Sequence, residues 1–457
     1  MDFSILQVFQ KDLTCSICMN YFIDPVTIDC GHSFCRPCFC LSWQDISDLA
    51  CCSECKGTTS QRDFKTNIRI KKLVLLVRKA SLRQFLSSGE NICGLHKKTK
   101  QIFCEDDRRL LCSHCSSSQE HKAHRHWSVE GAAEEYQEKL LKKMRSLWDK
   151  YCENDRNLNV ETITVRSWEN YVNLRRKTIS AEYEKMLPFF HEEKQHHLER
   201  LQKEGKEIFQ QLKESKARMT RKRELLRGMY EELKDMCHKP DVELLLDFGD
   251  ILHRSETVEL HMPQPMNPEL STGPIPGLIK RLNCFKVNIT LDCDRTNSHV
   301  FVYGDLRSIS VGCDPQEAPC IAPRSECFLA WGAQTFTSGR YYWEIEVEDS
   351  WNWAFGVCND YWKKNNRNVQ IDEEKGLFLL GCAKEGIHYN VFTTSPLLLQ
   401  YVPRPIGRIG VFLDYEGRTV SFVDVAQSSL ICSIPSCSFS PCLRPIFCCS
   451  HFRPETN

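Results

Sequence analysis

Apolar residues recur at three- and four-residue spacing through the middle of the chain. From position 198 they form a heptad seam with three weak members, Gly205, Ser215 and Lys222. The full seam is Leu198, Leu201, Gly205, Ile208, Leu212, Ser215, Met219, Lys222, Leu226, Met229, Leu233 and Met236. Such a seam is typical of a coiled coil. The alternative is an amphipathic helix packed on its own domain.

The stretch before this seam also has the composition of a helix. Residues 132–187 contain neither proline nor glycine and are rich in Glu, Lys, Leu and Arg. The simplest interpretation is one long helix over 130–240, because this charged segment offers no second apolar face on which to fold back. Pro188 should kink or locally unwind that helix near its middle.

Strand-like alternation replaces the helical pattern towards the C-terminus. Tyr341, Trp343, Ile345 and Val347 are predicted to face one way, and Tyr342, Glu344 and Glu346 the other. Two further strands flank Glu416-Gly417, which predicts a hairpin. With no long helix between such strands, 269–457 is predicted to be an antiparallel β-sandwich. A connector over 241–268 precedes it.

Composition narrows the possible classes of protein. A chain of 457 residues is too long for one hydrophobic core. Its 60 basic and 60 acidic residues cancel, which removes any global electrostatic reason to bind nucleic acid or an anionic membrane. No run approaches the roughly 18 apolar residues that span a bilayer, and the N-terminus lacks a secretion signal. We therefore expect a cytoplasmic protein, with nuclear access left open.

The cysteines indicate metal binding. There are 27, of which 13 precede residue 120, and disulfides are disfavoured in a reducing compartment. The first ligand series is Cys15, Cys18, Cys30, His32, Cys35, Cys38, Cys52 and Cys55. The second is Cys93, His96, Cys104, Asp107, Cys112, Cys115, His121 and His124. Each series supplies eight ligands, enough for two tetrahedral zinc ions, so four zincs per chain are expected.

The first series resembles a RING finger, assigned to 1–57 with an N-terminal helix. In that family the ligands cross-brace, which implies Cys15, Cys18, Cys35 and Cys38 around one zinc and Cys30, His32, Cys52 and Cys55 around the other. The resemblance also implies a surface at Ile17, Trp43 and Ser53 for a ubiquitin-loaded conjugating enzyme, and a linchpin at Lys56. Core packing is the alternative for Ile17 and Trp43. Any zinc there is structural.

Three departures from the RING pattern weaken the expected activity. Ser53 replaces a common proline, which removes apolar contact. Lys11 stands where an acidic residue is usual. Lys56 makes fewer planar hydrogen bonds than an arginine would.

The second series resembles a B-box of the second type, assigned to 88–129. That resemblance implies one zinc at Cys93, His96, Cys112 and Cys115 and another at Cys104, Asp107, His121 and His124. A nucleic-acid zinc finger is the rival, but its ligand spacing is absent, so no nucleic-acid partner is expected. A linker helix over 58–87 joins the two modules. Its apolar residues Ile70, Leu73, Leu76 and Val77, with Leu6 and Phe9, could pair two RINGs or cap one.

RING, B-box and coiled coil in this order resemble the tripartite-motif family, and the C-terminal part is similar to its PRY-SPRY domain. The motifs that carry this resemblance are Leu291-Asp292, 335–345, 353–357 and 413–416. Cys293 replaces a usual proline and Phe378 a common tryptophan. The loop 359–375, with Tyr361 and Trp362, is the expected substrate face. The resemblance implies a multidomain α+β chain that dimerises through an antiparallel coiled coil.

Two functions follow from this resemblance. The first is a ligase that passes ubiquitin from a conjugating enzyme to a protein substrate held by the sandwich. The second is a dimeric scaffold whose RING no longer activates conjugating enzymes. The family also suggests a role in innate immunity, which is an association only. A basic run from Arg218 to Arg227 is either a nuclear-import or RNA patch or a solvated helix face.

Overall fold

The computed structural model describes residues 11–42, 50–59, 65–88, 91–185, 190–295, 300–302, 309–311, 328–347, 352–360, 376–385, 388–435, 437–439 and 442–450. They belong to two compact units. The first unit draws on 1–163 and 213–266, and the second on 164–212 and 267–457. Helices and antiparallel sheets both occur, which confirms the predicted α+β class.

Two small modules begin the first unit. The first contains the paired strands β1 (Pro25–Thr27) and β2 (Ser33–Cys35), helix α1 (Arg36–Ser42), and the pair β3 (Ala50–Cys51) and β4 (Thr58–Thr59). Helix α2 (Ile68–Ser87) follows. The second contains β5 (Ile102–Cys104) between β6 (Arg109–Leu111) and β7 (His126–Ser128), and the short helix α3 (Ser113–Ser116).

The charged middle of the chain forms two long helices. Helix α4 spans Val129–Glu184 and α5 spans His191–His238. Pro188 lies outside the described residues. Every member of the predicted seam on α5 is buried except Lys222, which is half-buried.

The expectation that this segment cannot fold back is wrong. In the first unit Asn154 Nδ2 of α4 donates to the Met219 carbonyl of α5 at 3.0 Å. In the second unit Trp168 Nε1 donates to the Gly205 carbonyl at 2.8 Å. Because Met144 also contacts Cys237 in the first unit and Tyr183 contacts His197 in the second, α4 and α5 pack antiparallel within one chain in each unit. The second buried face on α4 includes Leu147, Tyr151, Asn154, Leu158, Glu161, Trp168, Arg175 and Ile179. Its polar members concealed the pattern in the sequence.

The predicted connector over 241–268 is largely a helix. Helix α6 spans Asp241–Glu259 and buries Leu244, Leu245, Phe248 and Ile251 in the core of the first unit. These residues recur at helical spacing after Pro240, so the apolar stretch was a helix signal that the prediction passed over.

The sandwich of the second unit follows helix α7 (Leu278–Leu282). Its strands are β8 (Leu291–Asp292), β9 (Val300–Val302), β10 (Ile309–Val311), β11 (Phe328–Gly332), β12 (Arg340–Val347), β13 (Asn352–Asn359), β14 (Leu377–Glu385), β15 (His388–Thr393), β16 (Leu398–Gln400), β17 (Gly407–Asp414), β18 (Thr419–Asp424), β19 (Ser429–Ile434) and β20 (Leu443–Ser450). A sheet ordered β16-β15-β14-β13-β20-β11-β8 faces one ordered β12-β17-β18-β19. Side chains of both sheets form one core.

Two strand predictions can be compared with this sandwich. Strands β17 and β18 pair antiparallel around the turn at Glu416-Gly417, which confirms the hairpin. On β12 both faces are covered near Tyr342, whose side chain is fully buried. A Cβ at Gly410 of β17 would come within 2.6 Å of its ring, so the tyrosine ring packs where only glycine leaves room. None of the helices in the described ranges has the length and apolar composition that crossing a bilayer needs.

Candidate metal centres and the surfaces around them

Among its described residues, the first unit contains four clusters of potential metal ligands. In each, the four ligand atoms lie within 4.8 Å of one another. The clusters are Cys15, Cys18, Cys35 and Cys38; Cys30, His32, Cys52 and Cys55; Cys93, His96, Cys112 and Cys115; and Cys104, Asp107, His121 and His124. The structure thus brings together the four sets that the RING and B-box resemblances imply, including the interleaved order of the first module.

The spacing within these clusters fits zinc. Thiolates about 2.3 Å from a tetrahedral zinc lie about 3.8 Å apart. Cys18 Sγ and Cys35 Sγ are 3.9 Å apart, and Cys93 Sγ and Cys115 Sγ are 3.8 Å apart. His96 Nδ1 lies 3.4 to 3.6 Å from the three sulfurs of its cluster. A zinc ion would therefore fit without rearrangement of these ligands.

Tight turns hold the ligand pairs. The residues after Cys18, Cys55 and His96 are Met19, Lys56 and Lys97, and each has a left-handed backbone with φ of 55°, 60° and 52°. The N–H of each donates to the carbonyl of the first ligand of its pair, at 2.8 to 2.9 Å. Three knuckles of one geometry result, although a left-handed residue other than glycine is strained. The backbone N–H groups of His96 and Leu95 lower the pKa of the Cys93 thiol to about 6.

The fourth cluster includes a carboxylate. Asp107 Oδ2 lies 2.7 Å from His121 Nδ1 and 2.9 Å from His124 Nδ1, and 3.4 Å from Cys104 Sγ. Partial burial opposes ionisation, but these hydrogen bonds keep the pKa of Asp107 below its usual value. An ionised carboxylate beside neutral imidazoles and a thiolate is a suitable zinc ligand set.

Of the predicted docking and linchpin residues of the first module, the structure describes Ile17, Ser53 and Lys56. Ile17, inside the first knuckle, is 37% exposed, and Ser53 and Lys56 at the other knuckle are exposed. Core packing therefore does not explain Ile17. Trp43 lies outside the described residues. So do Tyr361 and Trp362, the predicted substrate-binding residues of the second unit.

Asp24, which was not predicted from the sequence, fixes the first module in its unit. Its buried carboxylate accepts hydrogen bonds from Arg36 Nε at 2.7 Å, from Thr66 Oγ1, and from Arg145 of α4. Burial raises the pKa of Asp24, but these partners outweigh it and keep the pKa below the usual carboxyl value. No local motif marks this residue, because its partners are distant in sequence.

Family models match three segments of the chain. Residues 15–55 match a zinc finger of C3HC4 type, RING; residues 88–129 match the B-box zinc finger; residues 340–456 match the SPRY domain. Tripartite motif-containing protein 51 of Homo sapiens is 66% identical over 452 residues, which cover 99% of this chain and 100% of that protein. This chain belongs to the tripartite-motif family.

Other human members of the tripartite-motif family show the same full-length match. Tripartite motif-containing protein 49 is 64% identical over 99% of this chain and 100% of its own length. Tripartite motif-containing protein 64B is 46% identical over 98% of this chain and 99% of its own length. The chain therefore carries RING, B-box and SPRY domains, and its Cys/His clusters are zinc-binding sites.

Residues of the basic run on α5 form ion pairs and a hydrogen bond within this tripartite-motif chain. Arg223 lies 3.2 Å from Asp155, and Arg227 lies 3.2 Å from Glu231 one turn away. Lys222 donates to the Leu260 carbonyl at the end of α6. These contacts favour a helix face over a nucleic-acid patch.

Proposed function

We propose that this protein is a RING-type ubiquitin ligase. The observation that carries the proposal is the placement of Ile17, Ser53 and Lys56 on two knuckles of one RING, with all three exposed. A surface of this kind is available to a conjugating enzyme loaded with ubiquitin. The ligands in the two knuckles would hold zinc, which fixes the position of the exposed residues. Zinc, when bound, supplies structure and no reaction step.

In this proposal the RING positions the reactants. The conjugating enzyme's thioester carries the ubiquitin, and a substrate lysine attacks its carbonyl carbon, so that an isopeptide bond forms and the thiol leaves. Lys56 donates hydrogen bonds that hold the ubiquitin in one orientation, which lowers the entropic part of the barrier. Ile17 provides apolar contact, with Trp43 as a further predicted contact.

The SPRY domain supplies the protein substrate, on a face that we propose includes Tyr361 and Trp362. We further propose a homodimer formed through α4 and α5, located in the cytoplasm with access to the nucleus. Two apolar residues of α4, Val160 and Ile163, lie one turn apart and are exposed, and an exposed apolar face of this kind supports dimerisation. With all four clusters filled, each chain would hold four zinc ions.

Self-ubiquitination of the full chain across a panel of conjugating enzymes tests the proposal. Ubiquitin chains should form with wild type and be lost in Ile17→Ala. Met19→Ala is a matched control, because Met19 is 77% exposed on the same knuckle but is not a predicted contact. Equal activity of both variants would show that any ligase activity does not use the predicted surface.

A dimeric scaffold is the second candidate. Ser53 removes the apolar contact that proline gives, and Lys11 reverses the usual charge near the first knuckle. Absence of ubiquitin chains with every conjugating enzyme, from protein shown to hold four zincs per chain, would favour the scaffold and reject the ligase.

A further inference from the structure

A cavity of about 200 Å³ lies in the second unit, between α4 and the sandwich. Most of its wall is apolar. Leu174 and Ile179 come from the helix, and Leu398, Leu430 and Ile434 come from the sheets. A preformed cavity of this composition favours an aliphatic ligand.

One charged residue lines this cavity. Arg175 is 6% exposed, and its guanidinium donates to the Ile431 carbonyl at 2.6 Å and to the Leu430 carbonyl at 3.1 Å. Its buried Nε has no hydrogen-bond partner. Within the described ranges, no carboxylate lies within the 4.0 Å that defines an ion pair with Arg175. The cation is thus buried against carbonyls and lacks an anion.

A buried charge of this kind is costly unless an opposite charge compensates it. The guanidinium has five N–H donors in a planar fork, of which the carbonyl bonds use only part. A carboxylate matches that fork, because both of its oxygens can accept hydrogen bonds at once. The cavity therefore suits a carboxylate joined to an apolar body.

Two further features of the cavity agree with this chemistry. Burial raises the pKa of the lining residue Tyr171 to about 12, so its hydroxyl stays protonated and can donate to an anion. Leu174 and Leu398 line the cavity and are also partly exposed, and Leu397 and Leu399 are exposed beside them. Apolar surface thus continues from the cavity to the solvent.

We propose that this cavity binds an aliphatic carboxylate, whose head pairs with Arg175 and whose chain contacts Leu174, Ile179 and Leu398. Two sources present that group: a free medium-chain fatty acid, and the C-terminal leucine of a peptide. The proposal concerns ligand binding alone and does not depend on ubiquitin transfer.

Calorimetric titration of the full chain with octanoate, with a short peptide ending in a free leucine carboxylate, and with the same peptide as its carboxamide tests this proposal. Wild type should bind at least one carboxylate about tenfold or more tightly than the carboxamide, as loss of a charge-assisted hydrogen bond predicts. Binding of octanoate alone would identify the fatty-acid source, and binding of the peptide alone the C-terminal source.

Arg175→Met should remove the preference for the carboxylate, whereas Arg176→Met should keep it. Arg176 is the matched control, because it is the next residue of the same helix and is exposed. If Arg175→Met does not fold, Leu174→Trp provides the second variant, since it fills the mouth from an exposed position and should abolish binding. Saturable binding of neither probe to wild type, or equal binding of carboxylate and carboxamide, would overturn the proposal.

Discussion

Arg145 of helix α4 donates two hydrogen bonds to one carboxylate oxygen of Asp24 in the RING, at 2.9 Å and 3.2 Å. The Asp24 side chain is 2% exposed, and Arg36 completes the pair of cations around it. The RING is therefore fixed on the helix by ion pairs to a buried carboxylate as well as by apolar packing. Buried carboxylates of this kind matter most when one partner is removed.

Asp24→Asn should destabilise the first unit by about 1–3 kcal/mol, because two cations lose their counter-charge. Asp247→Asn is the matched control: Asp247 also lies 2.7 Å from its cation, Lys239, but is 51% exposed, so about 0.5 kcal/mol or less is expected. Denaturant unfolding of both variants at neutral pH measures the difference. Equal losses would contradict a special role for Asp24.

The pH dependence of Asp24 follows from its lowered pKa. A carboxyl whose pKa is lowered on folding stabilises the fold above its unfolded pKa of about 4, and this contribution disappears as pH falls through the folded value. The difference between wild type and Asp24→Asn should therefore stay constant from about pH 6 to 8. Plots of the free energy of unfolding against pH should therefore be parallel for wild type and Asp24→Asn across that range. A difference between the two that changes steadily with pH would argue against an ionised Asp24.

Two adjacent cysteines, Cys51 and Cys52, allow a test of whether zinc content depends on the cluster cysteines or on the number of cysteines. Cys52 belongs to a metal cluster, whereas Cys51 is exposed and belongs to none of the four. Cys52→Ser should reduce the zinc content from four to three ions per chain, because serine is a poor ligand for this ion. Cys51→Ser should keep four. Metal analysis of the purified variants decides the assignment, and equal zinc content in both would contradict it.

Two glycines of α5 should respond in opposite ways to a side chain. A Cβ at Gly205 would lie 3.0 Å and 3.1 Å from the methyl groups of Val172, whereas a Cβ at Gly228 would meet nothing within 4 Å. Gly228→Ala should stabilise the helix by about 0.5–1 kcal/mol, and Gly205→Val should destabilise it by about 1–3 kcal/mol through overpacking. Thermal unfolding tests both, and stabilisation by Gly205→Val would contradict the close packing of α4 on α5.

Local sequence signals predicted the zinc modules because their ligands sit at fixed short spacings that only a tight turn satisfies. The seam on α5 was equally readable, since apolar residues occupy most of it. Its partner face on α4 was not, because the polar residues Asn154 and Glu161 are buried there among apolar residues. A polar residue becomes part of a core only when a distant segment covers it, and sequence spacing does not contain that information.

The contacts of Arg175 and Asp24 could not be predicted from the sequence for the same reason. The partners of Arg175 are carbonyls of Leu430 and Ile431, more than 250 positions away. Arg145 is 121 positions from Asp24. Neither charge belongs to a recognisable motif, so both required the tertiary structure. Ile17 and Lys56, by contrast, were predicted from the resemblance to a RING finger, because both lie beside ligands of the first series.

Single-turnover discharge of a ubiquitin-loaded conjugating enzyme onto free lysine measures whether this RING positions ubiquitin for transfer. Lys97 provides the control for Lys56, because it occupies the same left-handed position after a ligand pair in the B-box. Lys56→Ala should slow discharge about tenfold, Lys97→Ala should leave it unchanged, and Lys56→Arg should accelerate it. Discharge by wild type no faster than without the protein, or equal slowing by Lys56→Ala and Lys97→Ala, would show that this RING does not position ubiquitin through Lys56.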